Sequence, residues 1–113
     1  MTVDEIELII ANTMINSITE DWKKAILKIK IQKGYTGSSL RYFDDNNTEK
    51  GPRLEKSNNF SDIIHELHAI TTEGGHNRWN KLEFTLFPDG KFDLQFIWDQ
   101  EWQDEVDGYN KKS

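Results

Sequence analysis

The chain has 113 residues, 35% of them hydrophobic and 30% charged, with a net charge of −6 and no cysteine. That length suits one domain with a real core, and the missing cysteines exclude disulfides, thiolate metal sites and cysteine nucleophiles. The acidic start MTVDEIELII lacks the basic region of a signal peptide, and no apolar run approaches the ~20 residues that span a bilayer, so a cytoplasmic protein with no membrane partner is expected.

In chain order, Thr2 and Glu5 have the spacing of a capping box, and Val3, Ile6, Ile9, Ile10, Thr13 and Met14 recur at helical spacing, predicting a first helix over 3–17. Ala25, Leu27, Ile29 and Ile31 then alternate with Lys24, Lys28, Lys30 and Gln32, as in a half-buried strand over about 23–33. Gly34 and Gly37 mark a turn into a second strand over about 38–44. The turn formers of Asp44–Pro52 predict a solvated, mobile loop, and Arg53–Lys56 a short edge strand. A second helix is expected from Phe60 or Ser61, with Ile63, Ile64, Leu67 and Ile70 turned inward and Gly74-Gly75, followed by His76, as its stop.

The last third is the most regular part. Leu82, Phe84 and Leu86, then Phe92, Leu94, Phe96 and Trp98, follow the two-residue period of strands on either side of Pro88-Asp89-Gly90, which predicts a β-hairpin with Phe84, Phe92 and Phe96 in the core. Trp79 opens this hairpin. Beyond it, Trp98, Trp102 and Val106 are spaced four apart, so a short helix or turn capped by Asp99 would lay all three on one side and display Glu101, Asp104, Glu105 and Asp107 elsewhere. The expected fold is therefore a single α+β domain over 1–113: an antiparallel sheet of four to five strands, an N-terminal and a central helix packed on it, and a short C-terminal helix or turn.

Residues that carry chemistry are few. His65 and His68 stand at i and i+3 on the second helix, a spacing that supplies two metal ligands, but the zinc-protease pattern needs i and i+4 and no third ligand is apparent. Two boundary histidines are the simpler reading. The serines fall in turns or caps with no base and orienting acid, and there is no glycine-rich phosphate loop, so neither a catalytic set nor a cofactor is expected.

Charge is distributed unevenly. Residues 1–33 hold five acids and five bases and 34–60 four of each, whereas 61–98 hold six acids against three bases and 99–113 five against two. Such a field argues against direct nucleic-acid binding and favours a basic partner. Trp98, Asp99, Glu101, Trp102, Asp104, Glu105 and Asp107 are the candidate partner-binding residues, with Trp102 alternatively pinning the tail to the sheet.

The order of elements resembles the YezG-like antitoxin or immunity family of bacterial polymorphic toxin systems. The resemblance rests on the helix ending in Ile18–Trp22, the strand Lys24–Lys33 and the run from Gly74 through Trp79 to Leu82–Leu86. It continues in Asp89-Gly90-Lys91-Phe92 and the strand end Trp98-Asp99. Where members often carry Tyr-Asp-Asp at that strand end, this chain has Trp98-Asp99-Gln100. The resemblance implies a non-enzymatic inhibitor of a cognate toxin domain, often a nuclease delivered by contact or secretion. The alternatives are a small metal-dependent or hydrolytic enzyme using His65 and His68, and an adaptor for another basic protein.

Overall fold

The computed structural model describes residues 1–75 and 77–112, of which 110–112 as backbone only, so the expectation for His76 lies outside the described residues. Helix α1 (Val3–Ser17) is followed by strands β1 (Lys24–Gln32), β2 (Tyr35–Phe43) and β3 (Glu49–Lys50). Helix α2 (Phe60–Thr72) then leads through a short 3-10 turn to β4 (Lys81–Leu86), β5 (Phe92–Ile97) and helix α3 (Gln100–Lys112). The strands form one antiparallel sheet in the order β3-β2-β1-β4-β5. Local chemistry sets the ends of α1: the Thr2 hydroxyl accepts from the Glu5 N–H, and the Glu5 carboxylate accepts from the Thr2 N–H.

One face of the sheet meets both helices. Ala25, Leu27 and Ile29 of β1, paired in register with Leu86, Phe84 and Leu82 of β4, are buried against Ile6, Ile10 and Met14 of α1 and Phe60, Ile64 and Leu67 of α2. Because the strand period is two, the opposite face takes the remaining residues. There Lys24, Lys28 and Lys30 of β1 stand in a row flanked by Arg41 of β2 and Lys81 of β4, and no helix packs on them along most of their length. Helix α3 lies against this outer face at the end near Lys30, Gln32 and Tyr35.

Four expectations need correction. The first turn is tighter than the glycines suggested: Gln32 pairs with Tyr35, only Lys33-Gly34 turn, with Gly34 at φ +74°, and Gly37 lies inside β2. The edge strand is Glu49–Lys50, not Arg53–Lys56, because Lys50 is drawn to Glu20 (2.8 Å) and Asp44 (3.5 Å), while Leu54 packs against the core without pairing. In the exposed loop before it, the Asp44 carboxylate accepts from the N–H groups of both Asn46 and Thr48. Third, Ile70 is 37% exposed, at the last turn of α2 where the helix has run past the core.

The fourth correction concerns β5. Phe92 and Phe96 point to the helix-bearing face, as the alternation required, but are 45% and 40% exposed. Helix α2 reaches toward β2, where Thr36 donates to its Ser61, and the fifth strand, at the other edge of the sheet, extends beyond the helices' cover. Phe84, one strand nearer the centre, is fully buried and stacks on Phe92 with ring centroids 5.0 Å apart.

Candidate functional site

The candidate residues meet where β4 and β5 hand over to α3. Buried Trp79 heads β4: its indole N–H donates to the Thr71 hydroxyl (2.8 Å), and its carbonyl lies 2.8 Å from His68 Nε2, which donates to it. Trp79 is thus a core residue that ties α2 to the sheet. Its neighbour Asn80, also buried, holds the start of α3 through its side chain.

Asp99 caps α3 as expected, its carboxylate accepting from the Trp102 N–H (3.0 Å). The same carboxylate pairs with Lys81, and these contacts, Lys81 foremost, hold its pKa below the usual carboxylate range. Trp98 lies under the Arg78 guanidinium, 3.9 Å from the ring centroid. Trp102 is half-buried, with the Lys30 and Lys81 ammonium groups each 5.8 Å from its ring. These contacts set its ring between helix and sheet. Glu101, Asp104, Glu105 and Asp107 are exposed. Gln100 and Gln103 donate to Asp104 and Asp107, keeping two of these carboxylates ordered along the helix.

Among the described residues no group of three His, Asp or Glu side chains is placed to hold a metal. His68 is committed to Trp79. His65 Nε2 is buried with no hydrogen-bond partner among the described residues, beside a cleft of about 610 Å³ between α2 and α3 that is also lined by His68, Arg78, Trp98, Gln103 and Asp107. Sequence reasoning missed Asn80, Thr71 and Arg78, each of which positions a tryptophan or the helix cap. A lone Asn between Trp79 and a strand carries no pattern that marks it as buried.

The comparisons bear on the same region. The model of the family described as "Immunity protein YezG-like" matches residues 44–113, from the loop before β3 through α3. The chain belongs to the YezG-like immunity protein family. The match leaves out α1 and the β1–β2 hairpin, so the parts of the resemblance at Ile18–Trp22 and Lys24–Lys33 lie outside it, whereas those from Gly74 to Asp99 lie within. No curated protein matches the chain. Among the described residues no helix is long and apolar enough to cross a membrane.

Proposed function

We propose that this YezG-like protein binds and neutralises a cognate toxin domain, a basic nuclease of a polymorphic toxin system, through the acidic surface of α3, and does so in the cytoplasm without catalysis. The observation that carries this reading is the run of five acids and no base in residues 99–107, four of them exposed on a helix fastened to the sheet by Asp99, Asn80 and Trp102. A nuclease must gather positive charge around its phosphate-binding site, and a pre-ordered row of carboxylates complements that field. Family membership supports the inhibitory role, and the exposed acids of α3 support this surface as its carrier.

The candidate contacts are Trp98, Asp99, Glu101, Trp102, Asp104, Glu105 and Asp107, with the exposed acids steering encounter and the tryptophans holding the helix in place. The test is to express the toxin domain encoded beside this chain and assay its nuclease activity with and without the protein. Stoichiometric loss of activity is expected, relieved by reversing Asp104, Glu105 and Asp107 together. Full inhibition by that triple variant, at high and low salt alike, would place the interface elsewhere.

A further inference from the structure

The fifth strand ends the sheet, and among the described residues no strand pairs with its outer edge. The Phe87 N–H donates to the Lys91 carbonyl, and in an antiparallel ladder the hydrogen-bonding groups of successive residues point alternately to either side. Lys91, Asp93, Gln95 and Ile97 therefore turn their backbone groups toward β4, and Phe92, Leu94 and Phe96 turn theirs to the open edge. The same three residues place their side chains on the face that α1 and α2 fail to cover at this strand. Solitary edges are ordinarily blunted by charged side chains, proline or a bulge; Phe92–Ile97 has no lysine, proline or bulge, and its one charge, Asp93, lies on the opposite face with its backbone groups turned toward β4.

We propose that β5 pairs antiparallel with β5 of a second copy of this chain about a two-fold axis at Leu94, joining two five-stranded sheets into one. The strand is self-complementary in that register. Phe92 lies opposite Phe96 of the second copy, Leu94 opposite its own counterpart and Asp93 opposite Gln95, so aromatic meets aromatic and no like charges face each other. A register shifted by one pair toward the turn would set Asp93 against Asp93. The acidic helix α3 leaves the end of β5 and runs toward Lys30 and Tyr35, which carries the excess negative charge away from the paired edges. At ~200 Å² per ring, the exposed parts of Phe92 and Phe96 set an upper bound of roughly 340 Å² over two copies on what the rings contribute, about a third of the ~1,000 Å² of a specific interface, and the paired backbones and Leu94 add to it. The proposal does not depend on toxin neutralisation.

Because the chain has no cysteine, Leu94→Cys introduces a single thiol on the axis. Hydrogen-bonded antiparallel partners have Cα atoms ~5.5 Å apart, inside the ~4.4–6.8 Å that a disulfide spans. The wild-type protein is expected to sediment as a dimer at about 100 µM, and Phe92→Lys to weaken that dimer by about tenfold or more. Oxidised Leu94→Cys is expected to cross-link at least about tenfold faster than Lys33→Cys, placed in the remote β1–β2 turn. If Phe92→Lys loses its circular dichroism signal, cross-linking at residue 94 decides alone. A wild-type monomer at that concentration, equal cross-linking at both positions, or cross-linking of Leu94→Cys only to an added toxin domain would each overturn the proposal, the last by showing that the edge pairs with a foreign strand.

Discussion

Asn80 uses all four of its polar groups to join three separate segments to one point. Its backbone N–H donates to the Ile97 carbonyl (3.0 Å) and its carbonyl accepts from the Ile31 N–H (2.9 Å). Its carboxamide brackets Asp99, donating to that residue's carbonyl at 2.9 Å and accepting from its N–H at 2.8 Å. A buried amide with every group paired is stabilising and directional, and costly once a partner is removed.

Asn80→Ala is therefore expected to destabilise the protein by about 2–3 kcal/mol, since it strands the Asp99 N–H and carbonyl and leaves a void. Asn80→Asp keeps the acceptor and loses the donor, and should cost as much, with a carboxylate in a buried site. Urea denaturation monitored by tryptophan fluorescence checks both, and a midpoint equal to wild type for Asn80→Ala would mean that water replaces the bracket.

The two hairpin phenylalanines should behave differently although they share a face. Phe84→Ala is expected to cost about 3–5 kcal/mol, as for a fully buried ring. Phe96→Ala, 40% exposed but 4.9 Å from the Trp79 ring, should cost about half of that or less. Equal losses in denaturation midpoint would show that the β5 face is covered in solution.

Acid should undo the fastening of α3 and of the β2–β3 corner. Asp99 is lowered by Lys81, Glu20 by Lys50 and then Tyr42, and Asp44 chiefly by the Thr48 N–H. A carboxylate whose folded-state pKa lies below its unfolded value stabilises the fold at all pH above that unfolded value, near 4, and loses the contribution as pH falls through the folded one. Stability from these groups is thus expected to hold from neutrality to about pH 5 and to fall below about pH 4. Glu7, raised by burial, acts in the opposite sense and offsets part of the loss. Thermal unfolding across this range, with Asp99→Asn flattening the acid limb, is the measurement.

Against a toxin domain, reversing Asp104, Glu105 and Asp107 should slow association by about tenfold at low salt and change dissociation little, because exposed charges act on encounter. Trp102→Ala should instead speed dissociation, since it releases α3 from Lys30 and Lys81. Surface plasmon resonance separates the two rates. Unchanged kinetics in both variants would remove α3 from the interface.

His65→Gln is expected to leave inhibition and thermal stability near wild type, as no described partner depends on it. His68→Ala should lower the melting temperature through loss of the bond to the Trp79 carbonyl. Added zinc should shift neither protein, and a metal-dependent rise in melting temperature lost in both variants would restore a metal-binding reading.

Periodicity and capping are local, and what they determine was legible. Helix α1 with its Thr2–Glu5 box, the alternating strands β1, β4 and β5, and the Asp99 cap all follow from spacing along the chain. The misses depend on distance through space. Alternation says which face Phe96 takes, but only the position of β5 outside the helices says that this face is bare. Lys50 joins an edge strand because Glu20, thirty residues earlier, lies within reach. At the candidate site, the acids of α3 were plain from composition, whereas Asn80, Thr71 and Arg78 act through partners far away in sequence.

The row Lys24, Lys28 and Lys30 with Arg41 and Lys81 on the outer face, set beside the carboxylates of α3, makes the net charge of −6 a poor description of how this molecule is seen from outside. Positive charge toward the Lys24 and Arg41 end of this face, where Glu83 opposite Lys28 and Asp99 on Lys81 no longer offset it, and the carboxylates of α3 toward the Lys30 end form a dipole, and a dipole experiences a torque in the field of an approaching protein. It turns before it touches. A basic object would meet α3 first and an acidic one the lysine row, so orientation is selected during diffusion, and salt that screens beyond ~10 Å would remove that selection while leaving the docked contacts in place.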